Sequence, residues 1–114
     1  MSKVIIAGSR TFNDYTLLEE TLNKFNLTIT EIVSGTAKGA DSLGERYATE
    51  NNITIKKFPA NWAKYNKSAG YIRNKEMAEY GDILIAFWDG KSKGTKHMID
   101  LANNKNLSVN IIEY

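Results

Sequence analysis

The chain contains no cysteine, which excludes a disulfide scaffold, a thiolate zinc site, an iron–sulfur cluster and a cysteine nucleophile. It has a single histidine, so imidazoles cannot cluster around a metal; Asp and Glu remain as ligands for a hard cation, but no metal site is assigned. No apolar run approaches the ~20 residues of a membrane span, and Val4-Ile5-Ile6-Ala7 is far too short for a signal segment. A soluble, cytoplasmic protein with no membrane partner is expected. Charge of one sign is also lacking: fifteen Lys+Arg face thirteen Asp+Glu, and the formal charge of +2 is too mild to point to nucleic acid. There is one proline, Pro59, and no repeat, low-complexity tract or linker. One domain spanning residues 1–114 is therefore expected, with 42% apolar residues sufficient for a core without staples.

Short apolar, β-branched segments are present at Val4–Ala7, Ile29–Ser34, Ile53–Phe58, Asp82–Trp88 and Ser108–Ile112, with segments of helical period between them. The first helix, over about Tyr15–Phe25, aligns Leu18, Leu22 and Phe25 and turns Glu19, Glu20 and Lys24 away. The second, about Ala40–Asn51, carries Leu43, Tyr47 and Ala48; the third, about Ala69–Tyr80, groups Ile72, Met77 and Tyr80. A fourth, about Thr95–Lys105, groups Met98, Leu101 and Ala102. Ile83-Leu84-Ile85-Ala86-Phe87 is apolar throughout instead of alternating, as a parallel strand covered on both faces should be. The pattern predicts an α/β fold: a Rossmann-like three-layer sandwich whose five-stranded parallel sheet has order 3-2-1-4-5. Ligands of such sheets bind at the carboxyl ends of the strands where the winding reverses, here between the first and fourth.

Three loops reach that edge. Gly8-Ser9-Arg10-Thr11 offers a tight turn, a hydroxyl and a guanidinium fork suited to phosphate or carboxylate. Ser34-Gly35-Thr36-Ala37-Lys38-Gly39-Ala40-Asp41 runs directly into a helix, and its spaced glycines let backbone amides approach an anion. Asp41 is alternatively a cap of the first helical turn. Trp88-Asp89-Gly90-Lys91-Ser92-Lys93-Gly94-Thr95 repeats the pattern with added hydroxyls and lysines. The Ser34–Asp41 loop is not a GxGxxG fingerprint and lacks the GKS/T run of a P-loop, so neither a nicotinamide cofactor nor ATP hydrolysis follows and no cofactor is expected. The long connection from Phe58 to Tyr71 is rich in aromatics, and Trp62 or Tyr65 suits stacking on a base or lining a pocket. Arg73 falls with the apolar side of its helix; it either pairs with Glu76 or points into the crevice. His97 projects from the fourth helix as an exposed side chain with no assigned role.

Gly8-Ser9-Arg10, Ser34 to Asp41, Phe58-Pro59-Ala60-Asn61-Trp62, Gly70-Tyr71-Ile72-Arg73-Asn74 and Trp88 to Thr95 together resemble the YspA-like, stand-alone branch of the SLOG superfamily. The resemblance covers nearly the whole chain. It implies a nucleotide-binding domain related to the LOG phosphoribohydrolases, DprA and SLOG sensors of nucleotide signals. It also implies association into homo-oligomers, for which the aromatic connection is a candidate interface. The ligand residues it suggests are Gly8, Ser9, Arg10, Gly35, Thr36, Gly39, Ala40, Asp41, Trp62, Arg73, Asn74, Trp88, Asp89, Gly90, Ser92, Gly94 and Thr95. A phosphorylated nucleoside or nucleotide-derived small molecule is the expected partner. In the LOG motif PGGxGTxxE the glutamate serves base–ribose cleavage, and its position here is Met98. Asp41, Asp89 and Glu76 are the carboxylates available to replace it in a hydrolase. Single-stranded DNA binding is the least favoured reading, because the net charge is near zero.

Overall fold

The computed structural model describes residues 2–25 and 28–114. Its elements are β1 (Ser2–Gly8), α1 (Tyr15–Asn23), β2 (Ile29–Ser34), α2 (Ala40–Glu50), β3 (Thr54–Lys57), α3 (Trp62–Tyr65), α4 (Ala69–Tyr80), β4 (Ile83–Trp88), α5 (Lys93–Asn104) and β5 (Ser108–Glu113). The strands form one sheet of order β3-β2-β1-β4-β5. Every pairing is parallel, with Ile6 opposite both Ser34 and Ile85, and Gly8 opposite Phe87. This is the Rossmann-like α/β arrangement and strand order that the apolar runs predict.

Alternate residues of β1 and β4 feed two cores. Val4, Ile6, Ile85 and Phe87 face α1 and α2, where Leu18, Leu22, Tyr47 and Ala48 cover them. Ile5, Ala7, Leu84 and Ala86 face α4 and α5, packed under Met77, Ala78, Met98, Ile99 and Ala102. Because both faces are covered, no position of either strand's centre tolerates a polar side chain, which explains the unbroken apolar run. Each fully buried Leu, Ile or Phe side chain contributes about 1.5–3 kcal/mol relative to leaving it in water.

Three expectations about these elements differ from the structure. The third strand is shorter than the segment Ile53–Phe58, ending at Lys57, because it is an edge strand with one neighbour. The helix expected from Thr95 begins at Lys93, since Ser92 rather than a later residue caps it. The aromatic connection is not an open loop: Asn61 accepts a hydrogen bond from the Lys64 amide at 3.1 Å and nucleates α3, and a 3-10 turn over Asn66–Ser68 joins it to α4. Among the described residues no helix is long and apolar enough to cross a membrane.

Candidate functional site

Helices α1 and α2 lie on one face of the sheet and α4 and α5 on the other. The chain therefore leaves β1 and β4 toward opposite faces, and the gap between them opens into a cavity of about 480 Å³. Ala7, Met77 and Met98 supply apolar lining, and the loops after β1, β2 and β4 supply polar lining.

Gly8 ends β1 where a Cβ would lie 2.5 Å from the Phe87 carbonyl oxygen and 2.7 Å from the Ala40 Cβ. Only glycine lets β1, β4 and α2 meet this closely. The Ser9 carbonyl accepts the Phe12 amide at 3.2 Å and the Ala40 amide at 3.4 Å, while Phe12 stacks on Phe87 with centroids 4.8 Å apart. The turn is thus pinned at both ends. Its hydroxyl is another matter: Ser9 is 5% exposed and lines the cavity, yet among the described residues Oγ has no hydrogen-bond partner of normal geometry, Asp89 being its polar neighbour. An unsatisfied buried polar group is destabilising by about 1–3 kcal/mol, so such a hydroxyl beside a cavity marks a place for a ligand atom.

The β4–α5 loop is built around Asp89, whose Oδ1 accepts the amides of Lys91 and Ser92, each at 2.9 Å. Those two bonds hold its carboxyl below the ordinary value, with the nearby Ser9 hydroxyl a smaller influence. Gly90 makes the turn with φ of 79°. Trp88 Nε1 donates to the Ser92 carbonyl at 3.1 Å, and Ser92 Oγ sits 3.0 Å from Thr95 Oγ1. Ser92 Oγ also accepts the Thr95 amide at 3.4 Å, capping α5. The amides of Lys93 and Gly94 precede the first intrahelical donor, Lys96, whose N–H bonds to the Ser92 carbonyl at 3.1 Å. A Cβ built on Gly94 would meet nothing within 4 Å. The positive end of the α5 dipole thus borders open space at the cavity wall.

Across the cavity, the Arg73 guanidinium donates from Nη1 to the Gly35 carbonyl and from Nε to Asn74 Oδ1 at 3.1 Å. Glu76 is exposed and is not its partner, so the expected helical ion pair gives way to a contact with the β2–α2 loop. The close approach of both side chains depends on Gly35, whose Cβ would lie 2.6 Å from Arg73 Nη1 and 2.9 Å from Asp41 Oδ2 and displace them. Asp41 is 7% exposed and accepts the Ala37 amide at 3.1 Å, so it braces the preceding loop instead of capping its own helix. Burial pushes its carboxyl up to about 6, against the opposing pull of the Ala37 amide and the Arg73 charge. Arg73 is itself pushed down by burial and by the neighbouring Arg10 charge, with Asp41 opposing.

Asn74 connects α4 to α5. Its Nδ2 donates to the Gly94 carbonyl at 3.3 Å and lies 3.2 Å from His97 Nδ1. His97 is accordingly half-buried, not the exposed side chain expected, and stands edge-on to the Tyr71 ring at 4.5 Å. Burial lowers its pKa, which favours the neutral imidazole that can accept from the Asn74 amide.

The cavity brings together Gly8, Ser9, Arg10, Asp41, Trp62, Arg73, Asn74, Asp89, Ser92, Gly94 and Thr95. Gly35 and Thr36 line a second cavity next to it. Gly39, Ala40, Trp88 and Gly90 lie outside both linings and shape the loops, Gly39 by its φ of 77° against the Ser9 carbonyl. Glu76 is likewise outside both. Lining residues outside the expected ligand set include Thr11, Ala37, Lys67, Gly70, Tyr71 and Met77. Gly70, Arg73, Asn74 and Met77 are spaced as one helical stripe, and that spacing is the signal by which Gly70 and Met77 were legible.

The sequence matches the family model described as YspA, cpYpsA-related SLOG over residues 2–65. No curated protein matches it. Among solved structures it is similar to the X-ray structure of DNA processing protein A (DprA) from Streptococcus pneumoniae, with a TM-score of 0.81 and 19% identity. That likeness covers 98% of this chain and 50% of the other. The chain spans half the length of that protein, and at this identity the likeness is one of fold.

Proposed function

The chain belongs to the YspA, cpYpsA-related SLOG family, and from that membership we propose that residues 1–114 form a nucleotide-binding module. It takes a small phosphorylated nucleoside, or a ligand derived from one, in the cavity at the carboxyl ends of β1 and β4. The observation that carries this reading is the buried Ser9 hydroxyl, without a hydrogen-bond partner of normal geometry among the described residues, in the wall of a cavity that the α5 N-terminus also borders. A phosphate oxygen would satisfy that donor, with the hydroxyls of Ser92 and Thr95 and the first-turn amides of α5 around it. Arg10 and Arg73 balance the charge. Trp62, 51% exposed at the rim, is the aromatic placed to cover a base, whereas the Trp88 indole N–H is committed to Ser92.

Calorimetric titration with nucleoside monophosphates, cyclic nucleotides and ADP-ribose forms tests the reading. At least one is expected to bind, and Ser9→Ala is expected to weaken it about tenfold or more, the loss of one hydrogen bond to a charged group. Silence across the panel overturns it.

A second reading, hydrolysis of a nucleotide, draws on one observation. Asp41 is a buried carboxyl in the cavity wall near Arg73, with its pKa raised to about 6. Ionised, it would stabilise the cationic ribose of N-glycosidic cleavage, in place of the glutamate that Met98 replaces. Asp89 is already engaged with two amides, and Glu76 is outside the cavity. Release of free base, abolished by Asp41→Asn with binding retained, would establish turnover. Affinity for single-stranded DNA that falls steeply with salt would instead favour a nucleic-acid ligand.

A further inference from the structure

The second cavity, about 540 Å³, lies against the β2–α2 loop and Pro59-Ala60. It shares Arg10, Ala37, Trp62 and Arg73 with the first, so these residues form a wall common to both. Among the described residues its charged lining consists of Arg10, Lys38 and Arg73, with no acidic side chain. The first cavity differs, since Asp41 and Asp89 line it together with Arg10, Lys67 and Arg73.

We infer that the site takes a nucleoside diphosphate or a molecule extended from one, with its first phosphate at Ser9 and α5 and its second between Arg10 and Arg73, facing Lys38. This rests on the nucleotide reading above and names its ligand class. Arg73 is fixed by its bonds to Gly35 and Asn74, so one guanidinium is held in the common wall before any ligand arrives. Arg10 is exposed and close enough for its charge to disfavour the charged form of Arg73. Two guanidinium groups that repel across a gap are relieved by an anion between them. The Asp41 carboxylate opposes that repulsion at Arg73, but its Oδ2 is engaged by the Ala37 amide and it lines the first cavity, not the second, so it does not face Arg10 and Lys38 there. A monophosphate held by Ser9 and α5 leaves the outer cations without a counter-charge; a second phosphate supplies it. The space past the common wall then accommodates whatever is esterified to the second phosphate.

The test uses the 5′-monophosphates and 5′-diphosphates of adenosine, guanosine, cytidine and uridine, titrated calorimetrically into the whole chain. For whichever base binds, the diphosphate is expected to bind at least about tenfold more tightly, about 1.4 kcal/mol. Lys38→Ala is expected to shrink that ratio, and Arg10→Ala to bring it close to one. Lys38 is exposed, so its removal leaves the fold intact; a circular dichroism melt of both variants verifies this. A monophosphate that binds as well as its diphosphate overturns the inference while leaving the nucleotide reading standing. A ratio unchanged by both substitutions also overturns it. If no mono- or diphosphate binds, the inference falls; the nucleotide reading falls with it only if the cyclic nucleotides and ADP-ribose forms are silent as well.

Discussion

Replacing Asp41 by asparagine separates the folding consequence of the cavity's buried carboxyl from its role with ligands. Its folded-state pKa is raised, chiefly by burial, from 3.8 to about 6. Between those values the native chain holds a proton that the unfolded chain has released, so stability falls as pH rises through that window and levels off above it. Each pKa unit corresponds to 1.36 kcal/mol, and the whole window to roughly 3 kcal/mol as an upper bound. Asp41→Asn keeps an acceptor for the Ala37 amide and removes the charge. At neutral pH the variant is expected to be more stable, by up to roughly 3 kcal/mol less whatever Arg73 loses with its counter-charge. The fall in stability from about pH 4 to about pH 6 should also flatten. Urea denaturation of both proteins across about pH 4 to pH 8 measures this. An Asn variant that is less stable at neutral pH, with an unchanged pH slope, would refute the reasoning. It would mean that burial does not raise the Asp41 carboxyl and that its charge works chiefly as the partner of Arg73.

Two glycines make opposite predictions. Gly35→Ala forces a Cβ to within 2.6 Å of Arg73 Nη1; a loss of about 1–3 kcal/mol in denaturant stability is expected, together with weaker nucleotide binding as Arg73 is displaced. Gly94→Ala meets nothing within 4 Å and lies in the first turn of α5, so thermal stability should hold or rise by up to about 1 kcal/mol. Because the added methyl borders the cavity, nucleotide affinity should nevertheless fall, and a variant binding as tightly as the parent would contradict the placement of phosphate at this helix end.

The strand order was legible because β1 and β4 are buried on both faces, which forces apolar runs that no exposed segment imitates. The loops were legible because Gly8 and Gly39 meet demands of close approach that no other residue satisfies. What escaped notice is where the physics is tertiary. Helix α3 buries none of its residues, so it has no apolar period to betray it, and the Asn61 cap is its only local sign. The partner of Arg73 is 38 residues away at Gly35, whereas helical spacing offers only Glu76. His97 reads as solvated because its environment comes from Asn74 and Tyr71 on another helix. The elevated pKa of Asp41 likewise depends on burial that composition does not reveal.

The most direct test of phosphate capture is a crystal structure of the protein soaked with the nucleoside monophosphate that binds best in solution. The phosphate is expected within hydrogen-bond reach of Ser9 Oγ and the Gly94 amide, above the ends of β1 and β4. A ligand bound elsewhere, with no ligand atom at the Ser9 hydroxyl, would contradict the account.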